Sequence, residues 1–327
     1  MGFTIKQYTD EDKEEWDAFI YRSMNGTFLQ TRKFINYHPQ GRFSDCSLLI
    51  YKGKTIVACI LACEIVENNE KVFFSHKGTS YGGIIISKSI YNTSNVISIM
   101  EMLESYLKNE KYNKVYFKMV PAVFSRKNTD LLDYFLYQRG YAQYDELNFY
   151  MHLENYKDDI LQSFSTGKRR DYRYSLRNNL LFKQLAGEEE IKEFYDVLQL
   201  NLKKLGLKSV HTYEELVDLK RNRFDDNIEF YGVYYGAKMI AGSMVFLFDN
   251  QVLHTQYLSS DEKYLEFYPM DFLIYHLIEI ALEKKMRLFT FGICTENQGK
   301  YLNLGLARFK EGFGAKYCIN RSYEKKL

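Results

Sequence analysis

A chain of 327 residues is long for one average domain and comfortable for two. The apolar fraction is 46% and the aromatic fraction 17%, and only three prolines occur, so we expect two filled cores without a long disordered linker. Lysine and arginine number 44 against 42 acidic residues, and this near balance argues against a nucleic-acid coat or a membrane-surface protein. A local basic patch is compatible with this balance.

The first half of the chain reads as strands followed by helices. Thr9 and Asp12 form a capping box that predicts an N-terminal helix. Residues 47–58 read as two strands joined by a tight turn at Gly53. The other predicted elements are the strand Thr4–Gln7, a third strand Lys71–Ser75, a helix with apolar positions from Val96 to Leu107, a strand Lys114–Met119, a helix Asp130–Arg139 and a strand Tyr141–Leu153.

The second half repeats this order. Residues 230–241 echo residues 47–58, with Gly236 and Ala241 at the separation of Gly53 and Ala58. Pro269 suits the first position of a helix, where its missing N–H costs nothing. The repeat predicts a third strand Gln251–Tyr257, a helix from Met270 to Ala281, a strand Arg287–Gly292, a helix Lys300–Glu311 and a strand Ala315–Tyr323.

Additional helices separate the two copies. Helices are predicted at Asp158–Phe164, Gly167–Leu180, Glu188–Leu205 and Tyr213–Asn222, with a strand at Phe182–Leu185. We therefore predict an N-terminal domain of residues 1–153 and a C-terminal domain of residues 154–327 that carries these extra helices. Antiparallel hairpins followed by a helix and a parallel return strand define an α/β fold with mixed sheets.

The sequence contains no metal-binding pattern. Its five cysteines lack paired metal-ligand spacing and predict buried thiols in a reducing compartment. No histidines stand at metal-ligand spacing either. The N-terminus has no signal architecture, and the most apolar windows are too short or carry charges, so we expect a cytoplasmic protein without transmembrane anchoring or a metal.

The first candidate site is the glycine-rich loop that follows the third strand of the first copy. Glycines allow backbone N–H groups to approach a ligand, and the side chains supply donors. A structural bulge before the next strand is the alternative. The candidate substrate-binding residues here are His76, Lys77, Thr79, Tyr81, Gly82 and Gly83.

The second candidate is a cationic helix in an otherwise neutral chain. Arg169, Arg170, Arg173 and Arg177 recur at spacings of three, four and seven residues, with Asp171 as the one acidic residue among them. Guanidinium groups bind phosphates through paired hydrogen bonds, so this helix predicts an anion site. A solvated helix face is the alternative.

The third candidate lies where the strand ending at Gly292 meets a polar loop and a helix. Ligands often bind at strand carboxyl ends in α/β sheets. Cys294 in this loop has no neighbouring histidine in sequence, which disfavours a catalytic thiol. The candidate set in and near this segment also includes Tyr257, Asn303 and Lys310.

The order of these motifs resembles the FemAB-like and related acyltransferases of the GNAT superfamily. The resemblance extends over nearly the whole chain. It rests on the Phe291-Gly292 strand end, Leu302 to Ala315, Tyr268 to Leu273, Gly236 to Gly242, Gly26 to Gln30 and the His76 loop.

This resemblance implies two tandem GNAT-like domains that share a cleft. It implies an N-acyltransferase that moves an acyl or aminoacyl group from an acyl thioester or an aminoacyl-tRNA to an amine. The acceptor would be an amino sugar or a peptidoglycan or other cell-surface precursor. No permanently bound cofactor is expected, because acyl-CoA or aminoacyl-tRNA acts as a co-substrate. The chain lacks the inserted coiled-coil arm of cross-bridge enzymes and the Gln/Arg-x-x-Gly-x-Gly/Ala pyrophosphate loop.

Acyl transfer to an amine needs a proton acceptor and stabilisation of the carbonyl oxygen. His254, Glu296 or a chain of waters could serve as the base, and backbone N–H groups could stabilise the oxyanion. We expect the acceptor near His76–Gly83 and an anionic group near Arg169–Arg177. The alternatives are a non-catalytic GNAT-fold module that binds an anionic ligand, and a nucleic-acid binder that uses the Arg/Tyr helix.

Overall fold

The computed structural model describes residues 2–204 and 206–327. The chain forms two compact units. The first contains the residues up to Glu146 together with Ile319–Leu327, and the second is Leu147–Cys318. The domain boundary expected at residue 153 stays a prediction.

Two sheets and four helices build the first unit within the described residues. Thr9 N–H donates to Asp12 Oδ2 over 2.9 Å, as the predicted capping box requires. The helices are α1 (Lys13–Arg22), α2 (Arg32–Ile35), α3 (Thr93–Asn109) and α4 (Asp130–Gln138). The strands are β1 (Phe3–Gln7), β2 (Ser44–Asp45), β3 (Leu48–Lys52), β4 (Thr55–Ile60), β5 (Cys63–Glu67), β6 (Glu70–Ser75), β7 (Ile84–Ile86), β8 (Lys114–Lys118) and β9 (Ala142–His152), of which β9 continues into the second unit.

Helical and strand residues of the first unit share one apolar core. One sheet has the order β1-β3-β4-β7, and β2, β5, β6 and β8 follow one another in the other. The period-3.6 positions Val96, Ile99 and Leu103 of α3 are buried in this core, as the spacing predicts. Strands β6 and β8 run parallel because α3 returns the chain between them.

The second unit holds one larger sheet of order β10-β11-β12-β13-β14-β9. Its strands are β10 (Leu180–Leu185), β11 (Ile228–Tyr235), β12 (Lys238–Phe248), β13 (Val252–Ser260), β14 (Leu288–Ile293), the short hairpin β15 (Thr295–Glu296) and β16 (Tyr301–Leu302), and β17 (Lys316–Lys326), whose end lies in the first unit. Its helices are α5 (Thr166–Ser175), α6 (Glu188–Lys204), α7 (Tyr213–Asp218), α8 (Pro269–Glu283) and α9 (Leu304–Gly312).

Two of the predicted inter-copy helices are shorter in the structure, and a third changes its type. The segment predicted as a helix at Asp158–Phe164 is a 3₁₀ turn, Ile160–Ser163. Helix α5 ends at Ser175, because Asn179 adopts a left-handed conformation that turns the chain into β10. Helix α7 ends at Asp218 and continues as one π-helical turn.

The predicted duplication is visible in the register of the two hairpins. Gly53 and Gly236 both have positive φ, 64° and 57°, at the tight turn. Each hairpin also contains a bulge, in which Val57 and Ile240 are the extra residues. These residues are separated by the same 183 positions as the glycines, so the two hairpins share a turn and an irregularity.

A second set of matched backbone bonds marks the parallel strands. Asn113 N–H donates to the Lys71 carbonyl over 2.8 Å, and Arg287 N–H donates to the Gln251 carbonyl over 2.7 Å. In each repeat this bond lies at the start of the parallel strand pair, which is β6 with β8 in the first repeat and β13 with β14 in the second. The structure therefore supports two diverged copies of one unit.

The closing strands are exchanged between the repeats. Leu327 N–H at the end of β17 bonds the Asn113 carbonyl, whereas Leu153 N–H after β9 bonds the Arg287 carbonyl. Thus β17 pairs with β8, and β9 pairs with β14. From the sequence we expected each closing strand to belong to the sheet of its own copy. Periodicity alone carries no information on strand partners, so it could not predict the exchange.

Candidate functional site

Strands β13 and β14 separate within the second unit. Their parallel ladder is limited to Val252–His254 against Leu288–Thr290. Strand β13 continues to Ser260 beside β12, and β14 continues to Ile293 beside β9. Beyond His254 the two strands no longer form a ladder with each other, and we call the region between their ends the opening.

A bulge on β13 lies directly beyond this point. Thr255 pairs with Val245 and Tyr257 pairs with Met244, so Gln256 is the extra residue. A bulge leaves ladder groups unpaired and redirects them. Backbone N–H groups at this position are candidates for stabilising an oxyanion.

Lys310 of α9 reaches the same end of β14 from the helical layer. Its residue is only 2% exposed, and its ammonium donates to the Gly292 carbonyl over 2.9 Å and to the Ile293 carbonyl over 2.7 Å. Burial lowers the pKa of Lys310 to about 8, because desolvation disfavours the charged form. An amine with a pKa near neutrality can both accept and release a proton.

His254 occupies the start of the opening. Its Nδ1 lies 2.9 Å from Thr290 Oγ1, and a Cβ atom on Gly292 would lie 3.2 Å from its Cε1. Burial, and to a smaller extent the positive charge of Lys310, lower the pKa of His254 to about 4. The imidazole is therefore neutral at pH 7. We refer to Lys310, His254 and Thr290 as the Lys310 cluster.

The first repeat lacks this cluster. The matched backbone bonds align β6 with β13, β8 with β14 and α4 with α9. Phe74 and Tyr116 occupy the positions of His254 and Thr290, and their rings stack with centroids 4.7 Å apart. The buried Leu136 occupies the position of Lys310.

The predicted glycine-rich loop interrupts the third strand of the first repeat. It separates β6 from β7, whereas the corresponding part of the second repeat is the single strand β13 with its bulge. His76 is buried and accepts a hydrogen bond from Gly78 N–H at Nδ1 over 2.8 Å, and burial lowers its pKa to about 3. Gly83 N–H donates to Ser75 Oγ over 2.6 Å.

Other side chains of this loop also have partners within the first unit. Tyr81 is buried, and its carbonyl accepts from Gln30 Nε2 over 3.1 Å and from Thr79 Oγ1 over 3.3 Å. Gly82 N–H donates to the Lys118 carbonyl over 3.0 Å. The exposed Lys77 pairs with a glutamate, Glu67, at 3.2 Å. A substrate-binding role for these residues stays a prediction.

The cationic helix is α5, whose inner face packs on α8 and α9. Lys168 on this face pairs with the buried Asp271 at 2.8 Å, and Tyr172 stacks on Tyr275 at 4.0 Å. Burial raises the pKa of Asp271. The internal ion pair therefore fixes the orientation of α5 against α8.

Arg170 and Arg173 of α5, and Arg177 in the 3₁₀ turn that follows α5, are exposed. Arg170 pairs with Asp171 at 3.1 Å, and Arg169 makes one long bond to a threonine of its own turn. Within residues 2–204 and 206–327, Arg173 makes no ion pair, and Arg177 lies over a tyrosine ring at 4.9 Å. These guanidinium groups face solvent, and an anion-binding role for them stays a prediction.

The remaining candidates, Tyr257 and Asn303, have partners within the second unit. Tyr257 Oη lies 2.6 Å from Nδ1 of His211, which directly precedes Thr212, the N-cap of α7. Asn303 accepts from Leu306 N–H over 3.0 Å and caps α9. The structure leaves a binding role of Tyr257 and Asn303 as a prediction.

Two further side chains bear on the predicted chemistry. Glu296 is exposed on β15, outside the Lys310 cluster. Cys294 is buried, and burial raises the pKa of its thiol. A thiol of raised pKa is a poor nucleophile, which agrees with the prediction against a catalytic cysteine.

The end of β14 at Gly292 was predicted as a candidate site, but no role for Thr290 or Gln256 was predicted from the sequence. Their importance depends on a ladder that ends early and on a bulge, and neither changes the apolar pattern. Among the described residues, no group of three or more histidine, cysteine or acidic side chains could hold a metal ion. In the same residues, no helix has the length and apolar character of a membrane span.

Comparisons with known proteins agree with this fold. Residues 166–311 match a family model described as an acetyltransferase (GNAT) domain. The chain is similar to the crystal structure of FemX, with a TM-score of 0.71 and 13% identity over 99% of this chain and 97% of that one. A search of curated proteins finds no match.

Two other solved structures share the architecture. L-PGS from Bacillus licheniformis has a TM-score of 0.60 and 14% identity, over 96% of this chain and 92% of that one. A tandem GNAT protein from the clavulanic acid biosynthesis pathway has a TM-score of 0.57 and 8% identity, over 99% and 98%. At such identities the likeness concerns the fold.

The family model makes residues 166–311 an acyltransferase domain of the GNAT type. The whole chain shares its tandem fold with FemX and with the tandem GNAT protein. The resemblance and the fold class expected from the sequence are confirmed.

Proposed function

We propose that the second unit transfers an acyl or aminoacyl group from an activated donor to an amine, and that the Lys310 cluster performs the proton transfer. The observation that carries this proposal is a buried lysine, held by two carbonyl groups, at the opening between β13 and β14. Within the described residues, the second repeat has this arrangement and the first repeat does not.

Lys310 is better suited than His254 to act as the base. A base is most effective when the pKa of its conjugate acid lies near the working pH. The pKa of Lys310 is lowered to about 8, whereas that of His254 is lowered to about 4. Neutral His254 is therefore a weak proton acceptor, and its contact with Thr290 supports an orienting role.

The reaction then proceeds through a tetrahedral intermediate. The neutral acceptor amine attacks the carbonyl carbon of the donor, and the carbonyl oxygen takes the negative charge. Backbone N–H groups at the Gln256 bulge are proposed to stabilise this oxyanion. Neutral Lys310 accepts the proton that the amine loses, the bond to the thiol or ribose oxygen breaks, and the lysine returns the proton to that leaving group.

The arginine surface of α5 supports a substrate that carries phosphate. Arg173 and Arg177 have no acidic partner in the described part of the chain, so their charge is available to an anion. An amino sugar or cell-surface precursor activated by a nucleotide, or a donor with phosphates, has this chemistry. We propose this class of substrate for the second unit.

The test is a transfer assay by mass spectrometry with acyl-CoA thioesters and aminoacyl-tRNAs as donors and amino sugars as acceptors. Once a reactive pair is found, we expect Lys310→Met to lower kcat by about a hundredfold or more, which is the usual contribution of a general base. Lys316→Met, a change of an exposed lysine in the same unit, is the matched control. A Lys310→Met protein with wild-type kcat would remove Lys310 from the reaction.

A further inference from the structure

A phenol and an imidazole join strand β13 to the segment before α7. Tyr257 Oη lies 2.6 Å from His211 Nδ1, and the two rings meet edge to face with centroids 5.7 Å apart. His211 is only 6% exposed. We call these two side chains the Tyr257 pair. Tyr257 directly follows Gln256, the extra residue of the β13 bulge, so the pair lies beside the backbone groups proposed to stabilise the oxyanion.

The bulge determines which face of the sheet carries the Tyr257 side chain. His254 lies opposite Phe246 on β12. Tyr257 lies opposite Met244, two residues from Phe246. Residues two apart on a strand share a face, so Tyr257 and His254 project from the same face of β13. An uninterrupted ladder would place Tyr257 opposite Ser243, on the other face.

Different helices cover the two faces. Val245, on the face away from Tyr257, is buried in one core with Leu273 of α8. On the face of Tyr257, a Cβ atom on Gly242 would lie 2.8 Å from the ring of Phe194 in α6. An uninterrupted β13 would therefore direct the phenol towards α8, away from the imidazole. The hydrogen bond of the Tyr257 pair exists only in the bulged register, and it stabilises that register.

The imidazole is held by its own segment of the chain. His211 N–H donates to Ser209 Oγ over 3.2 Å. The next residue, Thr212, begins α7 in a capping box. Its N–H donates to Glu215 Oε2 over 2.8 Å, and its Oγ1 accepts from Glu215 N–H over 3.2 Å. The position of the imidazole is therefore fixed without any bound substrate.

The phenol is the donor in this bond. Burial raises the pKa of Tyr257, and a hydrogen bond from the Ser209 hydroxyl opposes that rise only in part, so the phenol keeps its proton at neutral pH. We therefore assign Oη–H as the donor to His211 Nδ1. The Tyr257 carbonyl is held as well, because it accepts from Ser243 Oγ over 2.9 Å. A polar pair of this kind specifies one arrangement, since each buried partner costs free energy when it is left unbonded.

We propose that Tyr257 and His211 are positioning residues, which hold the Gln256 bulge in register and with it the backbone N–H groups that stabilise the oxyanion. A slip of one residue would turn the side chains of β13 to the opposite faces and displace these N–H groups from the opening. The step from the bulge to the oxyanion rests on the proposed function. The hold on the bulge does not depend on it.

Amide hydrogen exchange followed by mass spectrometry tests the hold on the bulge without any turnover. We expect Tyr257→Phe to raise exchange in peptides that cover residues 252–260 by about fivefold, because one hydrogen bond between buried groups is lost. His211→Leu should have the same effect. His211→Asn should keep exchange near the wild-type rate, since its Oδ1 accepts the phenol proton in place of Nδ1.

Tyr234→Phe is the matched control. Tyr234 lies on β11, and its hydroxyl donates to Glu193 of α6 over 2.8 Å, so this change also removes a bond between the sheet and a helical segment. Exchange in residues 252–260 of this control should equal that of the wild type. A general loss of stability raises exchange in every peptide of the second unit, whereas the effect of Tyr257→Phe should be confined to residues 252–260.

Steady-state kinetics test the catalytic consequence once a reactive pair of substrates is known. Tyr257→Phe should lower kcat by about tenfold and change KM by less than about twofold, because the oxyanion forms only on the way to the tetrahedral intermediate. His211→Asn should keep most of the wild-type kcat. If the transfer assay finds no substrate pair, the proposed function fails while the exchange experiment still decides whether the pair holds the bulge.

Three results would overturn the proposal. The first is exchange in residues 252–260 of Tyr257→Phe that equals the wild-type rate. The second is a rise spread evenly over the second unit, which would mean that the pair contributes only to stability. The third is a wild-type kcat in Tyr257→Phe despite faster exchange at the bulge, because the position of the bulge would then not affect the reaction.

Discussion

Replacing Lys310 with Met should remove activity and at the same time stabilise the protein at neutral pH. The pKa of Lys310 is lowered from 10.5 to about 8 by burial. At about 1.4 kcal/mol for each pH unit, this corresponds to a cost of about 3 kcal/mol for holding the charged lysine in the fold. Methionine has a similar length and carries no charge.

Part of this gain is lost through the carbonyl partners. The Gly292 and Ile293 carbonyls each lose a hydrogen bond, at a cost of about 0.5–1 kcal/mol apiece. We therefore expect Lys310→Met to be more stable than the wild type by about 1–2 kcal/mol at pH 7. A side chain that costs stability and supports catalysis is a common trade-off in enzymes.

The pH dependence gives the sign of the effect. Because the folded-state pKa is lower than the unfolded one, the unfolded chain binds more protons at Lys310 between about pH 8 and pH 10.5, and wild-type stability rises with pH in this window relative to the variant. The cost of the buried charge is complete below pH 8 and disappears above pH 10.5. The advantage of Lys310→Met should therefore shrink from pH 7 to pH 10.

Urea unfolding of both proteins, followed by fluorescence at several pH values, measures this difference. Lys316→Met controls for the loss of one lysine charge from the surface. The reasoning is refuted if Lys310→Met is less stable than the wild type at pH 7, or if the difference in unfolding free energy is constant between pH 7 and pH 10.

Two further predictions concern the substrate and the backbone at the site. Arg170→Ala with Arg173→Ala should raise the KM for a phosphate-bearing substrate several-fold with little change in kcat; unchanged steady-state kinetics would remove the anion-binding role. Gly292→Ala should destabilise the second unit by about 1–2 kcal/mol, because Gly292 has a φ of 73° and an added Cβ would press on the His254 ring at 3.2 Å. If the Gly292→Ala variant unfolds at the same urea concentration as the wild type, β14 accommodates the added Cβ without loss of stability and this prediction is wrong.

Much of the fold could be predicted from local pattern. The matched turns at Gly53 and Gly236 and the helical spacing of α3 and α8 are properties of short segments, so the sequence carries them directly. Two helices between the repeats, at Asp158–Phe164 and Gly167–Leu180, were predicted too long, and the left-handed conformation of Asn179 and the π turn after α7 were not predicted.

The candidate site was predicted only in part. Lys310 and His254 were both named, but in different roles, because nothing in the sequence indicates that one lysine is desolvated to a pKa near 8 and one histidine to a pKa near 4. Desolvation depends on how many atoms from distant segments surround a group. The roles of Thr290 and Gln256 required the observed register.

By itself the sequence determined two diverged α/β copies, an exposed arginine helix and a fold of the GNAT type, because periodicity, turn residues and ordered motifs are local information. Only the tertiary structure decided which strand closes each sheet, where β13 and β14 separate, and that the Lys310 cluster is present in one repeat while aromatic rings and a leucine replace it in the other. Strand partners and burial are set by long-range packing, in which residues far apart in the chain compete for the same neighbours.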